Sequence, residues 1–203
     1  MPRTTATAAG LIAILAWVGL AVQFDASFQS LHSIPNTTWI MLRYFTILTN
    51  LSVAVIFTAM ALGLKVRASI LGGVTISILL VGIVYGILLR GLIELSGGAK
   101  LADFILHTAV PILVPLYWLV LAERGELRRR DSIYWMAIPI SYFIYALILG
   151  AYEGVYAYPF LDFPTIGIRA TAAYAIAMAM GFYATGWIMW HWDNRDGRSR
   201  TQQ

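Results

Sequence analysis

Six continuously apolar stretches, each long enough to cross a bilayer, take up most of this chain, and the loops between them are short. A hydrocarbon core of about 30 Å needs about 20 helical residues per crossing. The stretches read as spans over residues 7–24, 38–63, 69–93, 101–122, 133–152 and 166–190. Inside hydrocarbon every backbone N–H and C=O must find a partner within the protein, which leaves helices or a closed barrel. Barrel strands alternate in polarity over about ten residues; these runs do not alternate. The expected fold is therefore an all-α membrane protein, a single bundle of six transmembrane helices formed by residues 1–192, with a polar tail from 193 to 203. The chain is 60% hydrophobic and 12% charged, where an ordinary soluble domain carries about 25% charge.

The apolar run from Ala6 to Val22 exceeds the core of about 7–15 residues in a cleavable signal peptide, and no small-x-small site follows it. It is expected to stay as the first span. Positive charge then orients the bundle. Arg3, Lys65 with Arg67, Arg124 with Arg128, Arg129 and Arg130, and Arg195 with Arg198 and Arg200 all fall on one side of a six-span chain. Lys100 is the one clear positive charge in a loop of the opposite side. The excess of Lys and Arg marks the cytoplasmic side, so both termini are expected there. The net charge of +4 suits anionic headgroups and calls for no nucleic acid. Absence of cysteine excludes disulfides, thiol nucleophiles and sulfur-ligated metals.

Polar groups within spans are costly unless paired, and so mark candidate sites. In the second span Arg43, Thr46 and Asn50 are spaced by three and four, the spacing of one helix face, with Thr49 on an adjacent line. Hydroxyls bonded back to their own helix and an Asn joining two helices would account for part of this cluster. In the fourth span Asp103 and His107 lie four apart, so the carboxylate can fix which imidazole nitrogen keeps the proton. The bland alternative is a packed, hydrogen-bonded ring. His32 and His191 read as interface residues. At about 1.5 Å per residue, Thr46 falls about 12 Å below the outer start of its span and His107 about 9 Å below that of its own. A hydroxyl, an imidazole and a carboxylate at one depth have the order of nucleophile, base and orienting group. Arg90 and Glu94, also four apart, are expected to pair at the outer end of the third span. Glu153 and Asp162 flank an aromatic segment, residues 154–161, that reads either as an interfacial belt or as a lid. Pro111, Pro115 and Pro139 interrupt the hydrogen-bond ladder of spans four and five and free carbonyls. One intramembrane His with scattered carboxylates makes no metal-ligand set, and no cofactor is called for.

Three blocks, Arg43-Tyr44-Phe45-Thr46-Ile47-Leu48-Thr49-Asn50-Leu51, His107-Thr108-Ala109-Val110-Pro111 and Tyr158-Pro159-Phe160-Leu161-Asp162, follow one another in an order that resembles the androgen-induced gene 1 / androgen-dependent TFPI-regulating protein family. The chain is most similar to that family's bacterial six-helix relatives of uncertain function. The resemblance extends over nearly the whole chain in length and span count, although each motif alone is short. It implies an intramembrane hydrolase with a threonine nucleophile and a histidine partner; the animal members cleave fatty acid esters of hydroxy fatty acids. His107-Thr108 matches the family's His-Thr pair and Thr46 its nucleophile. The chain departs from the animal pattern after that Thr, having Thr49 and then Asn50 where a polar residue stands three positions on. A one-residue shift makes Thr49 the nucleophile.

On the esterase reading, Thr46 attacks, His107 accepts its proton, Asp103 orients the ring, and Arg43, Asn50, Arg90, Thr108 and Tyr158 contact a membrane lipid or fatty-acyl ester. The location implied is the bacterial inner membrane. The alternative is a lipid-binding, ion-binding or transport protein that uses the same cluster without chemistry; the absence of an inverted repeat or matching broken helices weighs against transport. Gly72, Gly73, Gly82 and Gly86 suit close helix packing, but within or between chains is left open, and with it the oligomeric state.

Overall fold

The structure is a computed structural model that describes residues 3–200, with side chains described from 3 to 195. Its elements are helices, and no strand occurs among the described residues. The long helices are α1 (Arg3–Leu31), α2 (Ile34–Leu42), α3 (Phe45–Ala61), α4 (Ala68–Leu89), α5 (Gly97–Leu121), α6 (Asp131–Glu153) and α7 (Ile168–Arg200). Five of them, α1, α4, α5, α6 and α7, are long and apolar enough to cross a membrane, and the bent pair α2–α3 would make a sixth.

The expected second span is thus two helices. Ser33 caps α2 by accepting the Asn36 N–H, and Pro35 sits in the first turn, where its missing N–H costs nothing. The helix tightens at its end, with Arg43 N–H on Ile40 O and Tyr44 N–H on Met41 O. Tyr44 is then extended (φ −94°, ψ 131°), and α3 leaves at 96° to α2. Arg43 therefore stands at the break and shares no helix face with Thr46 and Asn50. The depth comparison made from an unbroken span falls with it: Thr46 lies in the first turn of α3.

Contacts gather the chain into two compact units, Met1–Glu123 and Arg124–Gln203. In the first, α1 turns a line of small residues, Ala9, Ala13 and Ala16, with Ile12 and Leu20, into the interior; on α3 the buried line is Val53, Ala54, Phe57 and Met60. Small side chains let helix backbones approach closely. Two glycines extend this logic to α5. A Cβ on Gly19 of α1 would stand 2.6 Å from Ile105 Cγ2 and 2.8 Å from Leu106 Cδ2; one on Gly82 of α4 would stand 2.8 Å from Pro111 Cβ. Thr75 and Ser77 of α4 are buried and bond back to Leu71 O and Gly73 O.

Helices α4 and α5 each carry one π turn, Tyr85–Leu89 and Ile105–Ala109. The first ends α4: Arg90 N–H reaches Tyr85 O, and Arg90 itself is extended (φ −62°, ψ 127°). The helical spacing expected to pair Arg90 with Glu94 therefore does not exist, because the helix stops before it begins.

In the second unit α6 ends at Gly154, whose left-handed φ of 71° suits a residue without Cβ. A 3₁₀ turn at Pro159–Leu161 buries Phe160 and Leu161, so the 154–161 segment is folded back on aromatic side chains. The helix α7 runs on past 192. Asp193, expected to begin a polar tail, is 1% exposed; residues 201–203 of that tail lie outside the described residues.

The glycine contacts predict opposite outcomes at two sites one turn apart. Gly82→Ala meets the rigid Pro111 ring and is expected to cost about 1–3 kcal/mol, whereas Gly86→Ala meets nothing within 4 Å and should leave stability unchanged or slightly higher. Thermal unfolding of the purified protein in detergent separates the two.

Candidate functional site

The first unit brings together the groups that sequence spacing had placed on separate helices. Thr46 Oγ1 of α3 lies 3.2 Å from His107 Nε2 of α5. The other ring nitrogen, Nδ1, lies 3.0 Å from Asp103 Oδ1. This contact is close and electrostatic but lacks the alignment of a well-directed hydrogen bond. Thr46 is buried, and the His107 and Asp103 side chains keep 19% and 21% of their surface exposed. The three groups stand in the order hydroxyl, imidazole, carboxylate.

Sequence reasoning passed over a fourth member, Tyr85. Its hydroxyl donates to Asp103 Oδ2 at 2.7 Å, and its ring stacks on the His107 imidazole with centroids 4.1 Å apart and planes 18° apart. One residue thus holds the carboxylate by its hydroxyl and the imidazole by its face. A lone tyrosine in an apolar span reads as belt or core, and only the π turn it opens, invisible in composition, aims it here. π turns inside α-helices recur at functional positions because the widened turn redirects side chains.

The second π turn has a local cause. Val110 N–H bonds Ile105 O, five residues back. In that register the next donor belongs to Pro111, which has none, so Leu106 O has no helical partner. Asn50 of α3 supplies one: its Nδ2 donates to Leu106 O at 3.2 Å and to Thr46 O at 2.9 Å. Both amide hydrogens are spent, and Asn50 is completely buried. Asn50 thus takes the helix-joining role that the sequence left open to it, as the brace between the Thr46 and Leu106 backbones.

The remaining sequence candidates fall as follows. Thr49 is buried on α3 one turn beyond Thr46; Thr46 is the threonine within hydrogen-bond distance of His107. Thr108 lies half-buried in the π turn beside His107. Arg43 occupies the α2–α3 break, three residues before Thr46. Arg90 is exposed just beyond the π turn that Tyr85 opens. Tyr158 belongs to the second unit, stacked on Phe160 with centroids 5.0 Å apart and edge-on to Tyr142. No group of three or more His, Cys, Asp or Glu able to hold a metal occurs among the described residues.

Removing the brace should loosen the cluster without changing Thr46, His107, Asp103 or Tyr85. Asn50→Leu leaves the buried Leu106 carbonyl unpaired and is expected to cost about 1–3 kcal/mol, read as a fall in Tm in detergent.

No protein-family model, no curated protein and no solved structure matches this chain.

Proposed function

We propose that the protein is an intramembrane lipid ester hydrolase in which Thr46 is the nucleophile and His107 its base. The observation that carries the reading is the single line of contacts from Thr46 Oγ1 through both nitrogens of His107 to Asp103. A threonine hydroxyl is a weak nucleophile until a base takes its proton. Here Nε2 is the nitrogen that faces it, which requires the proton of the neutral ring to sit on Nδ1, toward Asp103. Attack by Oγ1 on an ester carbonyl gives a tetrahedral oxyanion as Nε2 gains the proton; Nε2 then passes that proton to the departing alcohol, leaving an acyl-threonine. Water, deprotonated by the same nitrogen, releases the acid and restores Thr46. Asp103 offsets the imidazolium charge in both halves, and Tyr85 holds Asp103.

The helix break supports the same reading. Its position puts Thr46 in the first turn of α3, at the positive end of that helix. A negative charge developing beside the nucleophile is stabilised there by the helix dipole. Thr108 and Arg43 are further donors close by in the chain, and Arg90 is a cation for an acidic substrate group.

In this proposal the chain is a multi-pass inner-membrane protein with six crossings, made by α1, α3, α4, α5, α6 and α7, and with both termini cytoplasmic. Helix α3 has 17 residues, at the short end of what spans a bilayer, and α2, at 96° to it, lies along the outer surface. The Thr46–His107 pair then sits on the outer side, and the exposed Ile87, Leu101 and Phe104 nearby on α4 and α5 face lipid. A substrate that reaches the site by lateral diffusion is a lipid ester, with fatty acid esters of hydroxy fatty acids as the first class to try. This agrees with the resemblance to the androgen-induced gene 1 / androgen-dependent TFPI-regulating protein family and its bacterial relatives.

The expected results are specific. With a chromogenic medium-chain ester and a branched hydroxy-fatty-acid ester in detergent, Thr46→Ala and His107→Ala lower kcat by about 10²–10⁴-fold, and Thr49→Ala retains activity. Tyr85→Phe and Asp103→Asn fall between, with about 10–100-fold losses for a hydrogen bond to a charged group. A folded wild-type protein inactive on both esters, or variants that all match it, would leave a binding or transport role for the cluster.

A further inference from the structure

The polar loop before α6 is built with more care than a membrane-insertion signal requires. Arg128, Arg129 and Arg130 are consecutive and exposed, and their guanidinium groups have no ion pair among the described residues. The backbone that carries them is pinned at three points. Asp193 Oδ2 of α7, on a residue 1% exposed, accepts the Leu127 N–H at 2.9 Å. Asn194 Nδ2 donates to Leu127 O at 3.3 Å and to Trp190 O at 2.9 Å. Asp131 Oδ2, also buried, accepts the Arg128 N–H at 2.7 Å. Leu127 itself is buried as the plug of this loop.

The positive charges that orient a span act while the chain inserts, before the fold exists. They need no folded brace, and burying two aspartates to hold a loop is costly unless each is well bonded. The brace fixes the three arginines in a short arc. The loop's exposed carboxylates, Glu123 and Glu126, precede Leu127 and lie on the other side of that plug in the chain. Beside the arc, Tyr134 of α6 and Trp192 of α7 are exposed by 59% and 52%. Amphipathic rings of this kind settle at headgroup depth. His191 is exposed too and stacks on Trp187 with centroids 5.5 Å apart. Fixed guanidinium forks match phosphate oxygens, and apolar ring faces at the same level match the acyl chains beneath them.

We propose that the loop of Arg128, Arg129 and Arg130, held on α7 by Asp193 and Asn194, is a binding site for the phosphate of an anionic phospholipid. The site lies in the second unit and does not depend on the hydrolase reading.

The test uses the full chain in a zwitterionic detergent. Thermal unfolding is followed on titration with dioctanoyl phosphatidylglycerol, dioctanoyl phosphatidylcholine or inorganic phosphate. The expected result is a saturable rise in Tm, about 5 °C, with phosphatidylglycerol and little with the other two. Changing the three arginines together to Gln should weaken that response by about tenfold or more, and changing them to Lys, which keeps the charge but not the fork, should restore only part of it. Asn194→Ala keeps every charge but removes one of the three anchors of the loop, and should weaken the response on its own; it also carries the test if the Gln variant fails to fold. Equal stabilisation by phosphatidylcholine, an undiminished response in the folded Gln variant, or an undiminished response in Asn194→Ala overturns the proposal. So does a full response to inorganic phosphate, which would mark a free-anion site instead.

Discussion

Proline 111 withholds one hydrogen-bond donor, and the arrangement of the first unit follows from how that loss is made good. In a π register the carbonyl left over is that of Leu106, and the side-chain amide of Asn50 takes it. An unpaired carbonyl at that depth would cost about 1–3 kcal/mol, so the interaction is a strong tether between α3 and α5. The same amide bonds Thr46 O. A single side chain thereby sets the spacing of the two backbones whose side chains, Thr46 and His107, meet at 3.2 Å.

The other helices of the unit close on the same turn. Gly19 admits Ile105 and Leu106 against α1, and Gly82 admits Pro111 against α4. The approach of α4 brings Tyr85 over the imidazole. Each contact is made to the π turn at Ile105–Ala109 or its immediate neighbours, so its ring is positioned by helices rather than by loops. Catalytic or binding constellations need their groups held within about 0.5 Å, and sites on rigid elements are more precise than sites on loops. The weakly aligned Asp103–His107 contact suits a carboxylate that is held by Tyr85 and acts on the ring mainly through its charge.

Much of this was legible in the sequence, and the exceptions have physical reasons. Apolar runs of about 20 residues carry helices whatever the details, and the i, i+4 spacing of Asp103 and His107 survives a π turn well enough to keep the two groups in contact. The α2–α3 break was not legible, because neither glycine nor proline marks Arg43–Tyr44; the extended backbone of Tyr44 makes it. Tyr85 was missed because its role depends on a shift in hydrogen-bond register, and composition does not report register. Asn50 as a helix-joining residue was legible, but its partner was not: the amide reaches backbone, and a carbonyl orphaned by a proline several residues away has no sequence spacing of its own. Asp193 read as the start of a polar tail for a similar reason, since the Leu127 N–H that it accepts lies 66 residues away.

The Asn50 tether also bears on how such a chain can change over generations. It recognises carbonyl oxygens, which every residue possesses, so positions 46 and 106 can vary without disturbing it. Positions 50 and 111 do not have that freedom. A residue with an N–H at 111 would return Leu106 O to its own helix and leave the Asn50 amide surplus, and loss of the amide would leave Pro111 unsupported. Two sites linked through a carbonyl that belongs to neither should therefore change together among descendants of this sequence, as a pair of mutually suppressing substitutions.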